Sequence, residues 1–430
     1  MALKAVNLTN DEKAPRSALG LPAGQLQHAQ PEQVSKPRQI TLGVVNIGEK
    51  ERAYINDALD RNRLSPGKYV AAFERGFAEE HGCSYAVACN SGTSALQVAL
   101  AALKEARGWR DGDEVIVPAL TFIATSNIVL YNGMLPRFVD VDPHTYNINP
   151  DLIEAQITAR TRAIIPVHLF GLPCEMDPIQ EIARKHGLEI IEDSCETMFA
   201  RYKGRPVGSF GAMACFSTYI AHILVTGVGG LITTNDEQFS IACQSLINHG
   251  RDSIYLNIDD DNNISDNRLR EIIARRFSFV RLGFSYRLTE LEGALGVAQL
   301  ERKDEIIGGR RRNAHTLINY LKPLEEYLQL PTHPPYSDHS FMMFPIVARD
   351  SVDRDDLLNH LEQHQIETRY LFPLLTQPIY KRLFGDLEKS CPVAQRLTRQ
   401  GFFIGCHQGL TDEDLAYVAE VFQHYFARRG

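Results

Sequence analysis

The chain of 430 residues carries 45 Lys and Arg against 53 Asp and Glu, a formal charge of -8, with 44% hydrophobic and 23% charged residues. That is ordinary globular composition, without the basic footprint that nucleic acid or an anionic membrane requires. No apolar run approaches the roughly 20 residues of a membrane helix, no apolar stretch follows Met1 to Lys4, and the eight cysteines form no CxC or CxxC pair, so a reduced, cytoplasmic protein with no metal is expected.

Residues 1–38 are a polar lead without sustained periodicity, read as a tail. The spacing predicts helices over Gly48 to Arg61 and Tyr69 to His81, with a turn at Ser65-Pro66-Gly67 between them. Strands and helices then alternate. Strands are expected at Tyr85 to Cys89, Glu114 to Pro118, Arg137 to Val141, Ala163 to Phe170, Leu188 to Glu192, Met213 to Phe216 and Gly230 to Thr234. Helices are expected at Thr93 to Lys104, Ala124 to Tyr131, Leu152 to Thr158 and Pro178 to Lys185. Such alternation predicts an α/β fold whose mostly parallel sheet is covered on both faces, with ligands at the carboxyl ends of its strands. Asp259 to Asn263 is a surface loop lacking the spacing of a calcium loop, Arg268 to Arg276 a solvated helix, and Thr289 to Ile307 one long helix. The rhythm then changes: a strand at Phe341 to Val347, a helix at Arg354 to Gln363, a Pro-rich stretch at Phe372 to Pro378 and a helix at Asp412 to Arg428. The partition is thus a tail (1–38), a large α/β domain (39–300) and a small α+β domain (301–430).

Three clusters carry chemistry. Asn90-Ser91-Gly92-Thr93-Ser94 follows a strand and opens a helix. Free N–H groups, hydroxyls and a tight glycine turn suit a phosphate there, although an ordinary Ser/Thr N-cap reads the same way. Asp193, in Glu192-Asp193-Ser194, ends an apolar strand and suits a protonated ring nitrogen or, more plainly, a loop cap. The third cluster runs from Cys215-Phe216-Ser217 through His222 to Gly227-Val228-Gly229-Gly230, a hydroxyl-bearing strand end, one ionisable residue and a glycine turn.

These pieces, in their order and spacing, resemble the DegT/DnrJ/EryC1/StrS sugar aminotransferases. The resemblance spans about Gly43 to Phe422. It includes Leu64-Ser65-Pro66-Gly67, Ser91-Gly92-Thr93-Ser94-Ala95-Leu96, Pro118-Ala119-Leu120-Thr121-Phe122 and Pro166-Val167-His168-Leu169-Phe170-Gly171. It continues through Asn248-His249-Gly250-Arg251, Gly283-Phe284-Ser285-Tyr286-Arg287 and Gly409-Leu410-Thr411-Asp412. The resemblance implies the fold type I of pyridoxal phosphate (PLP) enzymes, with a seven-stranded sheet. It implies that Gly92, Thr93 and Ser217 hold the PLP phosphate, that Phe122 stacks on the pyridine ring, and that Asp193 pairs with the ring N–H. Glu196 stands where relatives carry Gln or His near the ring oxygen. Ser285 stands where relatives carry an Asn that reaches the neighbouring subunit's cofactor, which implies a homodimer with shared sites.

One departure decides the expected reaction. Transaminating relatives place a lysine six residues before the acidic residue of a Gly-Glu-Gly-Gly turn. Here that count, taken back from Val228, lands on His222, and no lysine lies between Lys203 and Lys303. The cofactor therefore has no covalent attachment point. The substitution resembles the GDP-4-keto-6-deoxymannose 3-dehydratase branch. There pyridoxamine phosphate (PMP) acts on the sugar, a histidine moves the protons, and glutamate regenerates PMP. The resemblance thus implies C3 deoxygenation of a nucleotide-linked ketosugar with His222 as acid–base. The alternatives are a sugar-nucleotide aminotransferase and a non-catalytic sensor or scaffold. Arg251, Tyr286, Arg287, His339 and Arg369 are candidate substrate contacts or, equally, surface ion pairs.

Overall fold

The computed structural model describes residues 37–428 apart from 257–259, 261, 263, 333 and 336. The expected tail therefore lies, but for its last two residues, outside the described residues. So does most of the Asp259 to Asn263 loop.

A seven-stranded sheet forms the larger layer. In chain order its members are β1 (Tyr85–Cys89), β2 (Glu114–Pro118), β3 (Leu135–Val139), β4 (Thr161–Ile164), β5 (Glu189–Asp193), β8 (Met213–Ser217) and β9 (Gly230–Thr234). A two-residue ribbon, β6 (Arg201–Tyr202) with β7 (Arg205–Pro206), stands outside it. The spatial order is β1-β9-β8-β5-β4-β2-β3, and β9 alone runs against its neighbours. Strands β2, β8 and β9 are buried along their whole length. That burial on both faces is why they read as continuous apolar runs rather than alternating ones.

The helix Gly92–Arg107 covers one face, and Gly108, at φ 64°, closes it in a left-handed cap. Helix Lys68–Glu80 lies against Glu290–Leu300, whose Gly293 and Gly296 leave no room for a side chain. A Cβ on Gly293 would come within 2.7 Å of the Val70 backbone N, and one on Gly296 within 2.7 Å of the Phe73 ring. The buried Glu290 carboxylate accepts from the N–H groups of Gly67, Tyr69 and Val70 at 2.7, 2.8 and 3.2 Å, capping the neighbouring helix from outside.

The second sheet is antiparallel, in the order β10 (Leu328–Gln329), β11 (Phe344–Ala348), β13 (Gly401–Ile404), β12 (Arg369–Tyr370). Its core joins Phe344, Ile346 and Phe402 to Leu317 and Leu321 of helix Lys303–Leu321 and to Val418 and Phe422 of helix Asp412–Ala427. Ile40, fully buried, bonds to this unit through Gln365 and Glu367, so the described residues begin against the second sheet before the chain enters the first. Among the described residues no helix is long and apolar enough to cross a membrane.

Several elements differ from expectation. Leu152 to Thr158 is not an α-helix but two 3-10 turns, Pro150–Leu152 and Glu154–Gln156, neither of which has a buried residue; only Ile153 between them is buried in the core, with Ile157 packed partly against it. The strand expected to Phe170 stops at Ile164, ahead of the donorless Pro166, and Leu169–Gly171 turns with Phe170 at φ 55°. The long helix from Thr289 breaks at Arg302 (φ -109°, ψ 10°), which is held there by Glu51 and Glu305. Helix Glu237–Ile247 was not expected at all, although Asp236 caps it by accepting from Gln238 and Phe239.

Candidate active site

The carboxyl ends of β1, β2, β5 and β8 open on the same side of the sheet and deliver most of the expected residues to one place. After β1, Ser91 caps the helix by accepting from the Ser94 N–H at 3.1 Å. Gly92 follows, packed so closely that a Cβ would lie 2.7 Å from Ser217 Cβ and 2.8 Å from Cys195 Sγ. The cradle is therefore made of backbone and two hydroxyls, one from each of β1's loop and β8's end. Thr93 is exposed at its rim.

Asp193 ends β5. Its Oδ2 accepts from Thr125 Oγ1 at 2.7 Å and its Oδ1 from the Cys195 N–H at 3.1 Å. Thr125 itself bonds Thr121 at 2.8 Å. Burial pushes the Asp193 carboxyl above its ordinary range, against those hydrogen bonds. A cationic ring nitrogen is the kind of partner that restores its charged form. Phe122, just before the helix Ala124–Tyr131, keeps its ring 56% exposed, with Phe372 meeting it edge-on at 6.0 Å. Glu196 is buried and accepts from the Phe170 N–H at 2.9 Å. Burial pushes its carboxyl up to about 8, opposed by that bond and helped by Asp193. At neutral pH it is a neutral acid, closer to a glutamine than its formal charge suggests.

His222 sits on the loop after β8. Its Nδ1 is 3.2 Å from Ser217 Oγ, which ties it directly to the cradle. Burial lowers its pKa to about 4, with Arg310 adding to the shift. Arg310 is fully buried, and its Nε has no hydrogen-bond partner among the described residues. It donates to the carbonyls of Met342 (2.7 Å), Phe341 (3.4 Å) and His222 (3.1 Å). Val228, where relatives carry the acid, is half exposed, and its carbonyl accepts from Thr226 Oγ1 at 2.8 Å. The two lysines that bracket the segment are engaged elsewhere, Lys203 with Asp177 and Lys303 with Glu80 and Asp304.

Ser285 is not brought into this cluster. It is exposed, and its Oγ accepts from Arg287 at 3.1 Å. Its segment nevertheless borders the site, since the Asn90 N–H bonds the Tyr286 carbonyl at 2.8 Å. Among the candidate substrate contacts, Arg287 donates to Asn248 and Arg251 to the Arg276 carbonyl, with the rings of Tyr255, Phe277 and Phe279 around it. Tyr286 stacks on Phe284, His339 is buried against Phe341, and Arg369 pairs with Glu367 on the second sheet's edge.

Sequence reasoning missed Thr125 and Arg310. No periodicity signals the first, since Thr121 lies in the bend before helix Ala124–Tyr131 and Thr125 in its first turn. Arg310-Arg311-Arg312 reads as a solvated basic run, and only the structure buries its first member.

The cradle fits a phosphate-bearing aromatic cofactor. Gly92 leaves space that a side chain would fill, Asn90 Oδ1 and Ser194 Oγ are buried with no hydrogen-bond partner, and a carboxylate, an exposed ring and a neutral acid stand around the same opening.

Comparison with known proteins agrees. Residues 45–423 match the model of the DegT/DnrJ/EryC1/StrS aminotransferase family. GDP-perosamine synthase of Caulobacter vibrioides is 37% identical over 384 residues, covering 88% of this chain and 96% of that one. A structure of a GDP-4-keto-6-deoxymannose-3-dehydratase variant with bound GDP-perosamine superimposes with a TM-score of 0.81 at 28% identity, over 89% of this chain and all of the other. A structure of the same enzyme with a trapped PLP-glutamate geminal diamine gives 0.79 at 28% identity, over the same shares of the two chains.

Proposed function

Because the chain belongs to the DegT/DnrJ/EryC1/StrS aminotransferase family, we propose that this PLP/PMP-dependent enzyme removes the C3 hydroxyl from a nucleotide-linked 4-keto-6-deoxy sugar, with L-glutamate as amine donor. The observation that carries the reading is His222, 3.2 Å from Ser217 in a segment with no lysine from residue 204 to 302.

The Gly92 backbone, Thr93 and Ser217 would hold the cofactor phosphate at the helix N-terminus. Phe122 would cover one ring face, Asp193 would keep the ring nitrogen protonated, and Glu196 would offer an acid proton to the ring oxygen. Bound PMP supplies an amine and an electron sink. His222 moves the proton. Its Nδ1 is held by Ser217 Oγ at 3.2 Å, and burial lowers its pKa to about 4, so the ring is neutral at neutrality and able to accept a proton. The absence of a lysine favours release of a deoxygenated ketosugar over retention of an amine.

Incubation with PLP, L-glutamate and a GDP-linked 4-keto-6-deoxyhexose is expected to give a product that has lost oxygen, read by mass spectrometry. His222→Asn is expected to lower turnover by about 100-fold or more while PLP still binds. Undiminished turnover overturns the assignment of His222. The second reading, transamination of the same substrate, draws on the 37% identity to a perosamine synthase. An amino sugar as product would establish it.

A homodimer with shared sites belongs to the same proposal. Leu282 is 97% exposed, and Ile273, Phe277 and Val280 are also exposed apolar residues. Val280 and Leu282 line a groove of about 1010 Å³ whose walls include Trp109, Tyr131, Phe284 and, at the rim of the cradle, Thr93. A second copy seated there would cover these exposed apolar side chains and bring residues of its own to the phosphate.

A further inference from the structure

Far from the cradle, three histidines meet between two helices. His360 lies in helix Arg354–Gln363, His364 caps its C-terminus, and His424 is in the C-terminal helix Asp412–Ala427. One ring nitrogen of each lies within 4.8 Å of the others'. Neither acid–base catalysis nor cofactor binding uses them.

Their hydrogen bonding is incomplete in a particular way. His360 Nε2 and His424 Nδ1 are buried and have no partner. His364 Nδ1 bonds the His360 carbonyl at 2.7 Å, which fixes the proton there and leaves Nε2 bare. A buried polar atom without a partner costs about 1–3 kcal/mol, so two such nitrogens in one three-histidine cluster need an explanation. The rings are packed face to face or tilted, at centroid separations of 4.3 Å (His360 with His364) and 5.6 Å (His360 with His424). Three protonated imidazoles cannot share that volume. Arg428 adds positive charge on one side, and Glu420 offsets it at His424.

We propose that His360, His364 and His424 form a binding site for a divalent transition metal of the zinc or cobalt class, clamping the C-terminal helix to helix Arg354–Gln363. The chemistry matches at each point. Neutral imidazole is the ligand such ions select, and a pair of histidines four residues apart on one helix presents two nitrogens to one side. Tetrahedral ligation at roughly 2.0–2.1 Å sets the nitrogens about 3.3 Å apart, so the rings close by about 1.5 Å at most, within the reach of small side-chain rotations. The His364 bond to a backbone carbonyl is the outer-shell contact that orients metal-bound imidazoles. An adjoining cavity of about 400 Å³, lined by Asp356, Asn359, Gln363, Tyr425 and Arg428, leaves room for a water as fourth ligand and a way in. Among the described residues no other group of His, Cys, Asp and Glu has this arrangement. The sequence had suggested no metal, because the two halves of the site lie sixty residues apart and neither is a motif on its own.

Cobalt titration of the full chain tests the site. One equivalent of Co²⁺ is expected to produce the visible bands of a four-coordinate nitrogen site, and Zn²⁺ to abolish them and raise the thermal midpoint. His364→Ala and His424→Ala, one on each helix, are each expected to weaken binding about tenfold or more, while His222→Asn leaves it unchanged. Absence of the bands at one equivalent in the wild-type chain, or bands that persist unaltered in both alanine variants, overturns the proposal.

Discussion

At neutral pH the carboxyl of Glu196 keeps its proton, because it is buried beside Asp193 and its pKa is pushed up to about 8. A folded pKa above the unfolded one means that ionisation favours the unfolded chain. The stability this neutral acid contributes is whole below about pH 4.5 and is lost as pH rises towards 8. Glu196→Gln is therefore expected to gain stability relative to the wild type between pH 5 and pH 8, read as a difference in urea midpoints. It is also expected to keep PLP affinity above pH 8, where the wild type weakens, read by absorption titration. Parallel curves for the two proteins would contradict this account. Identity alone told little about this residue: a glutamate reads as charged until its surroundings are known. Asp193 and Gly92, by contrast, were legible from position, one at a strand's end and one at a helix's start. Their neighbours in the chain already fix where strand and helix ends point. His222 was legible only by counting from a glycine turn.

At the level of elements, local pattern succeeded where burial is uniform and failed where tertiary contacts choose the ending. β1, β2, β9 and the helices Ala124–Tyr131 and Arg354–Gln363 agree with the periodicity residue for residue. The break at Arg302 does not, since one of the two ion pairs that hold it comes from Glu51 in helix Glu49–Asp60, 251 residues away. The buried carboxylate of Glu290 is another such device. Three backbone N–H groups at the start of helix Lys68–Glu80 have no intrahelical partner, and Glu290 supplies the acceptors from more than two hundred residues away. Glu290→Ala strands those donors inside the protein. It is expected to destabilise the chain by about 2–3 kcal/mol, measured by denaturant unfolding with an unchanged slope. A loss below about 0.5 kcal/mol would mean that water replaces the carboxylate.

For the whole molecule, the exposed apolar segment Ile273 to Leu282 is the feature that a single chain leaves unexplained. Leu282→Asp is expected to halve the solution mass by light scattering. It should also weaken PLP binding, because the groove it disrupts reaches Thr93. A variant that stays dimeric with normal cofactor affinity would place the interface elsewhere. No periodicity announces such a surface. The segment reads as a solvated helix and a loop, and its apolar side chains acquire meaning only once the sheet beneath them is built. A different long-range link follows from Arg310. One buried guanidinium grips two carbonyls of the second sheet's lead-in, Phe341 and Met342, and the carbonyl of His222. Such bonds weaken steeply with distance and angle, and nothing acidic nearby stands in when one is lost. The two sheets therefore cannot shift past each other by much more than a bond's tolerance without dragging the imidazole or breaking its anchor. The aim of the base is in effect a gauge of how the molecule's two halves are set.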